Sequence, residues 1–580
     1  MADGLRLGVD RARGLLHALA VGLLAGSAAV ALRYLASALP GLVWPGASEL
    51  VTAVSAAPPA LKVALPAVGA LVAGLVLSQG TRWSGASQGW DILEAVLLRN
   101  GVLPLRSALI KSASSLVTQA SAGAVGREGP IVLLAATVAS KYGQRLGVST
   151  QQLRVLAGCG IAAGLACAYN APLGAALFAL EIVFGSLALD IFAPLAVASG
   201  TATLLTWAAF GNVPVFEVPS LRMASAWEML AFALLGVMGA VVAAAFLAAL
   251  RASATLYRRL RLPRPLAMAT AGLVLGVAIL GYPELVGNGR GAIAALFARP
   301  WSLGHVLMLL ALRLVVTPLA VGSGTVGGVF TPTLFLGAML GQAFGTSIRM
   351  MVPGAGLDPA AYALVGMSTV LAGTTHAPLT SAVLVFEMTL DYSAIVPLLV
   401  GSAIASQVAS FLSKESVYTE ALNRKAMTAR NATEPSAQLR VRDVMRQDQV
   451  TVPADMALPQ LLDVFIGARR NHVYLVDAEG RFHGAVNFHE AVGALQAIGG
   501  GGTTTARELI RTRFPTARLD EPLAEVLERF DTLAAERLPV IEDHRSLRLV
   551  GTISKRDILA AYSVRLIDVE RTPSPQSPPS

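Results

Sequence analysis

Two glycine-rich segments of the chain each contain a proline, and one of them contains an acid. They are Gly126–Pro130 (GREGP), which includes Glu128, and Gly327–Pro332 (GGVFTP). Because proline is favoured in the first helical turn, both segments predict helix N-termini, where free backbone N–H groups bind anions. A carboxylate there either stabilises the helix dipole, by about 0.3–1 kcal/mol, or competes with an anion for the same N–H groups. An acid in apolar surroundings is costly, so we interpret Glu128 as a functional residue of the second kind.

The spacing around these segments occurs twice. Intervals of ten, five and four residues separate Lys111, Ser121, Gly126 and Pro130, and again Arg313, Ser323, Gly328 and Pro332. Further along, an Ala-Pro-Leu sequence precedes an acid in each half, with Glu181 nine residues after Pro172 and Glu387 nine residues after Pro378. Two similar halves with interrupted helices are typical of a repeat-built transporter whose site lies near the middle of the membrane.

The composition places these segments in a membrane. The 580 residues are 54% hydrophobic and only 14% charged, whereas soluble proteins have about 25% charged residues. From Pro130 to Leu250 there are eight charged side chains in 121 residues, and from Leu439 to Ser563 there are 33 in 125. The sequence therefore predicts an all-α, multi-span membrane protein built from two inverted repeats with broken helices, followed by a small soluble α/β module.

Several function classes are excluded by residue type. Cys159 and Cys167 lie within an apolar stretch, which excludes a disulfide framework and a cysteine-ligated metal. The seven histidines lack metal-ligand spacing, and no Ser-His-Asp or Cys-His grouping indicates an enzyme. The net charge of +9 comes mainly from arginines between apolar segments, which is typical of cytoplasmic loops rather than of nucleic-acid binding.

Apolar stretches of near-spanning length predict more than ten helices, many tilted or incomplete. The clearest are Met229–Leu250, Ala394–Leu412, Leu15–Leu32, Val63–Leu77, Leu266–Gly281 and Val306–Val321. Arginines near the N-terminus and five arginines without an acid at 251–264 predict that both regions are cytoplasmic. The N-terminus has no signal-peptide pattern, so we expect it to be retained.

The two glycine-rich segments and the sequence around Tyr418 (KESVYTEAL) resemble the signature regions of the CLC chloride channel and transporter family, across about residues 15–425. The resemblance implies a homodimer with a separate anion path in each subunit and Glu128 as the external gate. It also implies an anion site formed by Gly129, by the backbone N–H groups of Val329 and Phe330, and by the hydroxyl of Tyr418. By itself, Tyr418 would be interpreted as an interfacial anchor.

Two positions differ from the family pattern. The first signature is altered over residues 84–91, where Ser87 is expected to coordinate the anion and Ser84 is the other candidate. Proton-coupled members have a glutamate one position after the acid of the Ala-Pro-Leu block, and here that position is Ile182. An isoleucine cannot bind a proton, which favours a passive, voltage-gated-type chloride channel over a proton–chloride antiporter. Pro130 is retained, as in chloride- or nitrate-type members rather than fluoride exporters.

The C-terminal region resembles a tandem pair of cystathionine-β-synthase (CBS) domains. We expect the membrane region at 1–425, a linker at 426–438, CBS domains at 439–498 and 506–563 with a Gly/Thr linker at 499–505, and a disordered tail at 564–580. Ser554 and Asp557 match a nucleotide-contact pattern, which is also a helix-capping pattern; the first domain has Asn487 and Glu490 there. The module either binds a regulatory adenine nucleotide or only dimerises, and no cofactor is required.

These expectations define partners and location. The partners are chloride and similar small anions, membrane lipid and a second copy of the chain, and the location is a bacterial inner membrane with the CBS domains in the cytoplasm. A membrane-anchored CBS sensor without transport is the alternative from another class, and it leaves the repeated broken-helix spacing unexplained.

Overall fold

The chain forms two compact units, Met1–Ala421 and Leu422–Ser580, in a computed structural model. The structure describes residues 2–44, 49–84, 92–98, 100–185, 188–218, 227–299, 301–353, 357–420, 439–468, 472–498, 505–510, 514–532, 537–543, 545–555, 557–558 and 561.

The first unit is helical throughout its described residues. Its α-helices are α1 Ala2–Val43, α2 Leu50–Ala56, α3 Pro59–Ser84, α4 Ile92–Leu98, α5 Leu105–Ala120, α6 Glu128–Arg145, α7 Thr150–Tyr169, α8 Pro172–Phe178, α9 Leu189–Phe210, α10 Glu228–Leu260, α11 Arg264–Gly281, α12 Arg290–Ala298, α13 Leu303–Gly322, α14 Phe330–Met351, α15 Pro359–Thr375, α16 Pro378–Thr389 and α17 Ile395–Leu412. A π-helix at Ala179–Phe184 continues α8, and 3₁₀ turns occupy Pro283–Leu285 and Tyr392–Ala394.

Eight helical segments of the described chain are long and apolar enough to cross a membrane. The predicted apolar stretches all lie within these segments, which confirms them as helices. Two further apolar helical segments, Pro172–Phe184 and Pro378–Thr389, are shorter. Both follow an Ala-Pro break, so the predicted combination of full and incomplete helices is present in the fold.

The backbone repeats where the sequence repeats. Helices α5 and α13 end one residue before Ser121 and Ser323, which are their C-caps. Each serine hydroxyl donates a hydrogen bond back into the last turn, to the Val117 carbonyl at 3.0 Å and to the Ala320 carbonyl at 2.7 Å. The glycine-rich breaks follow, and α6 and α14 begin after them.

The second pair of breaks matches even more closely. Asn170 ends α7 with φ 56°, and His376 ends α15 with φ 57°, both in the left-handed region. Ala171 follows with φ −130° and ψ 81°, and Ala377 with φ −127° and ψ 81°. The next residue in each half is the proline that begins α8 or α16. The two halves thus share both their spacing and their break geometry.

Glycines allow α14 and α15 to pack closely. Gly337, Gly341 and Gly345 recur every fourth residue on α14. A Cβ at Gly341 would overlap the carbonyl of Tyr362, and one at Gly337 would overlap the carbonyl of Gly366. Small residues at this spacing let membrane helices approach until their backbones touch, and packing then stabilises the pair.

The second unit contains two three-stranded sheets of the same topology. The strands are β1 Thr451–Pro453, β2 His472–Val476, β3 Phe482–Asn487, β4 Ala517–Arg518, β5 Arg537–Ile541 and β6 Leu549–Ser554, and the helices are α18 Leu458–Ala468, α19 Phe488–Ile498 and α20 Leu523–Thr532. In each sheet a parallel pair is followed by an antiparallel pair. Strands β1 and β4 are only three and two residues long.

The two domains of this unit exchange backbone hydrogen bonds. The segment before β1 pairs with the second sheet, where Arg446 and Thr552 exchange backbone hydrogen bonds of 2.9 and 2.8 Å. The segment before β4 returns to the first domain, where the Ala506 N–H donates to the Met456 carbonyl at 2.8 Å. This exchange makes the two α/β domains one structural unit.

Candidate functional site

The two glycine-rich breaks meet in space. The Gly126 N–H donates to the Gly328 carbonyl at 2.7 Å, and the Gly328 N–H donates to the Gly126 carbonyl at 2.8 Å. The pairing brings the first residues of α6 and α14 to the same place. A Cβ at Gly328 would lie 2.5 Å from Oε1 of Glu128, so only glycine allows this approach.

Glu128, the first residue of α6, places its carboxylate at the N-terminus of α14. Oε1 accepts a hydrogen bond from the Thr331 N–H at 3.0 Å, and Oε2 accepts one from the Thr331 hydroxyl at 3.2 Å. The residue is only 4% exposed, so water reaches its carboxylate poorly. An acid from the first half of the repeat therefore binds the helix terminus of the second half.

Three further backbone N–H groups belong to the residues that start α6 and α14. Val329 is the N-cap of α14, Phe330 is its first residue, and Gly129 is the second residue of α6. In the described part of the chain, no hydrogen-bond acceptor pairs with the N–H groups of these three residues. Unpaired N–H groups and two helix dipoles contribute a positive potential at this place.

Aromatic side chains connect the N-terminus of α14 to Tyr418. Phe178, the last residue of α8, lies 6.1 Å from the ring of Phe330 and 5.6 Å from the ring of Tyr418. Tyr169 packs 5.2 Å from Phe330 and shares a 2.9 Å hydrogen bond with the Thr331 hydroxyl. Among the predicted anion-site residues, Glu128, Gly129, Val329 and Phe330 thus lie together, and Tyr418 joins them through Phe178. Ser87 lies outside the described residues, and the side chain of Ser84 does also.

The sequence prediction missed three residues of the site. Thr331 is part of the GGVFTP motif, but its position as a donor to Glu128 depends on how the halves face each other. Tyr169 precedes the residue that ends α7, and Phe178 lies three residues before Glu181. The sequence offered an indication for Phe178, because it is the aromatic residue of α8, a short helix of otherwise small and aliphatic side chains.

The acids of the Ala-Pro-Leu blocks cap each other's helices. Glu181 accepts hydrogen bonds from the N–H and hydroxyl of Thr380, at 2.8 and 2.6 Å, in the first turn of α16. Glu387 accepts from the N–H groups of Leu173 and Gly174, at 3.0 and 2.7 Å, in the first turn of α8. The repeat therefore brings each acid to a helix of the other half, a contact that the sequence spacing alone does not predict.

Ile182, next to Glu181, is half-buried and packs against the hydrophobic core. On an α-helix it would lie about 100° around the axis from Glu181. The segment is instead a π-helix, whose wider turn reduces that angle. Glu181 still points to the first turn of α16, so the two side chains have different surroundings.

Ser554 and Asp557 form a reciprocal helix cap in the second unit. The Ser554 hydroxyl and N–H both donate to Oδ2 of Asp557, and the Asp557 N–H donates to the Ser554 hydroxyl at 3.1 Å. The other carboxylate oxygen, Oδ1, pairs with Arg446 at 2.6 Å. In the first domain, the Asn487 N–H likewise donates to Glu490 at 3.2 Å.

A sequence model described as voltage gated chloride channel matches residues 68–410, which is more than half of the chain. The chain belongs to this family, the CLC family. CBS-domain models match residues 441–497 and 506–564. The matched region contains both glycine-rich breaks and both Ala-Pro-Leu blocks. Members of this family are transporters or channels of chloride and related anions, not enzymes.

Relatives and solved structures agree with the family. A chloride channel protein described as ClcB-like, from Ralstonia nicotianae, is 39% identical over 379 residues, which are 65% of this chain and 88% of that protein. The voltage-gated ClC-type chloride channel ClcB of Citrobacter koseri is 33% identical over 415 residues, or 70% and 98% of the two chains.

Two solved structures share the CLC fold. A slow cyanobacterial Cl⁻/H⁺ antiporter superposes with a TM-score of 0.62 at 25% identity, covering 71% of this chain and 97% of that one. A eukaryotic CLC transporter has the same TM-score at 21% identity and covers 94% and 98%.

Proposed function

We propose that the membrane unit is a chloride pathway gated by Glu128. The observation that supports this is the Glu128 carboxylate at the N-terminus of α14, where Thr331 donates two hydrogen bonds to it. A carboxylate and a chloride ion need the same donors, so the anion passes when the side chain moves away. The helix termini supply enough attraction for an anion to enter and little enough for it to leave.

The other predicted residues receive roles along this path. The N–H groups of Gly129, Val329 and Phe330 bind the anion once the carboxylate has left. Tyr418, which packs on Phe178, offers its hydroxyl at the inner end. Ser87 is proposed as the further hydroxyl of the path, on the basis of the sequence alone.

Between a passive channel and a proton-coupled antiporter, the residues favour the passive channel. Proton-coupled members resemble one another in carrying a glutamate at the position of Ile182, and isoleucine cannot bind a proton. The neighbouring Glu181 already accepts hydrogen bonds from Thr380 and caps α16, so it serves another purpose. We therefore propose a voltage-gated-type channel in which chloride moves down its gradient without protons.

A proton–chloride antiporter is the second candidate. The observation in its favour is the 25% identity and shared fold with the cyanobacterial Cl⁻/H⁺ antiporter. Paired chloride and proton flux from vesicles that contain the purified protein, under a chloride gradient, separates the two. Chloride release without proton movement against its gradient supports the channel; coupled proton uptake supports the antiporter; no chloride flux would contradict both.

The proposed assembly is a homodimer in a bacterial inner membrane, with lipid around it and with the N-terminus and CBS domains in the cytoplasm. The relatives named ClcB are bacterial proteins, which supports the proposed location in a bacterial inner membrane. The acid-free segment 251–264, which carries five arginines across the end of α10 and the start of α11, supports the orientation.

The CBS unit is proposed to regulate this pathway by binding an adenine nucleotide at Ser554 and Asp557. Binding would replace the Arg446 contact of Asp557 with a ribose hydroxyl. We expect calorimetry on the full chain to detect ATP binding, and Asp557→Ala to weaken it by about tenfold, or about 1.4 kcal/mol. Absence of binding at millimolar ATP would leave Ser554 and Asp557 as a helix cap.

A further inference from the structure

A cavity of about 530 Å³ leads to the gate in the membrane unit. The C-terminal end of α1, the start of α2 and the start of α12 contribute its walls, and Ser37, Gly41 and Glu49 on its lining are exposed. A second space of about 10 Å³, enough for about one water molecule, lies between Glu128, Thr331 and Tyr169.

The two spaces meet at a small set of shared residues. Arg127, Val215, Asn288 and Arg290 line both. An anion that moves from the large cavity to the Glu128 carboxylate therefore passes Arg127 and Arg290. The amide of Asn288 lies 3.5 Å from the Thr331 hydroxyl, which in turn donates to Glu128, so the shared residues adjoin the gate.

The guanidinium groups here are held by neutral partners. Arg127 donates to the Ser37 hydroxyl at 3.2 Å, and Arg290 donates to the Val215 carbonyl at 3.4 Å. A third arginine, Arg33, donates to the Cys167 carbonyl and lies 4.4 Å over the Phe210 ring. Neutral acceptors position these cations without cancelling their charge.

The charges around this point are mostly positive. Arg290 repels both Arg127 and Arg33. Glu49, on the cavity wall, attracts Arg290, and Glu128 attracts Arg127, but neither carboxylate forms an ion pair with these arginines in the described part of the chain. Like charges held together in partly buried surroundings are stabilised by an anion between them.

We propose that Arg127 and Arg290 form an anion-capture site at the inner end of the cavity, which chloride occupies before it replaces the Glu128 carboxylate. The proposal rests on the proposed function and adds a binding step to it. The site is open to the large cavity, so the bound anion keeps part of its hydration and leaves readily. Arg290, which lines both spaces, raises the local chloride concentration beside the gate.

The test is equilibrium exchange of labelled chloride in vesicles, with the same chloride concentration on both sides, for the wild type, Arg290→Gln and Arg290→Lys. Loss of a partly screened charge should raise the half-saturating chloride concentration of Arg290→Gln about fivefold. Its maximal rate should stay within about twofold of wild type, and Arg290→Lys should resemble wild type.

Chemical modification separates charge from folding. The native cysteines, Cys159 and Cys167, are fully buried, so thiol reagents should modify Arg290→Cys selectively at residue 290. A cationic aminoethyl methanethiosulfonate should restore the wild-type half-saturating concentration, and an anionic sulfonatoethyl reagent should raise it further. This comparison uses one folded protein, so instability of Arg290→Gln does not affect it.

The contradicting outcomes differ from failure of the proposed function. Equal half-saturating concentrations for wild type and Arg290→Gln would overturn the capture site, as would Arg290→Lys behaving like Arg290→Gln, or opposite reagents acting alike. In each of those cases chloride still moves. Absence of exchange in the wild type and in Glu128→Ala would instead overturn the chloride pathway, and the capture site with it.

Discussion

At the scale of single residues, Glu128 is held by two hydrogen bonds from Thr331. Hydrogen bonds to a charged group contribute about 1.5–3 kcal/mol each. Glu128→Ala removes the carboxylate and leaves the Gly126–Gly328 backbone pairing, so the proposed anion site should stay formed without its competitor. We expect chloride flux from vesicles to rise at least about tenfold, which corresponds to about 1.4 kcal/mol.

Thr331 provides a matched pair of controls for this prediction. Thr331→Val keeps the branched shape and the N–H donor and loses the hydroxyl, so we expect a smaller increase in flux, about threefold. Thr331→Ser keeps the hydroxyl and should resemble the wild type. Wild-type flux in Glu128→Ala would return Glu128 to the role of a helix dipole stabiliser.

At the scale of helices, Glu181 and Glu387 connect α8 and α16 in both directions. Each removes unpaired N–H groups from the first turn of a helix. We expect Glu387→Ala and Glu181→Ala each to destabilise the folded protein by about 2 kcal/mol, because two donors lose their acceptor. Thermal unfolding in detergent measures this, and Glu217→Ala, at an exposed loop position, is the control. Equal midpoints for all three variants would contradict the capping role.

The close approach of α14 and α15 gives a second prediction for helices. Gly341→Ala places a methyl group onto the Tyr362 carbonyl, so the helices must separate along their seam. We expect a loss of several-fold in folded yield and a lower unfolding temperature. Gly304→Ala is the control, since nothing lies within 4 Å of its Cβ, and alanine there should stabilise α13 by up to about 1 kcal/mol. A folded yield of Gly341→Ala equal to that of Gly304→Ala would show that the seam tolerates separation.

The sequence predicted the helix breaks better than it predicted their contacts. Proline, glycine and the spacing of Ser121 and Ser323 have local consequences, so the ends of α5 and α13 and the starts of α6 and α14 could be placed from sequence. The contact of Glu128 with Thr331 joins residues 203 positions apart, and it exists only because the repeats face each other. The π-helix after α8 was not predictable either, since its residues are ordinary helix formers.

At the scale of the whole membrane unit, carboxylates bind across the repeat. Glu128 binds the start of α14, Glu181 the start of α16, and Glu387 the start of α8. Each acid therefore stabilises a helix N-terminus in the opposite half. One of the three contacts is the proposed gate and the other two are caps, so under this proposal one kind of interaction serves both gating and stability. What distinguishes Glu128 is its place beside the cavity that leads to Arg127 and Arg290.

The proposed homodimer has one such path in each subunit, and this gives the prediction for the assembly. Purified protein should have about twice the 60.0 kDa mass of the chain, by mass photometry in detergent. Dimers that carry two different tags, one on a wild-type subunit and one on a Glu128→Ala subunit, can be isolated by sequential affinity steps. Because each path would lie within its own subunit, their chloride flux should be the mean of the two homodimers. A flux equal to either homodimer would instead place a single path between the subunits.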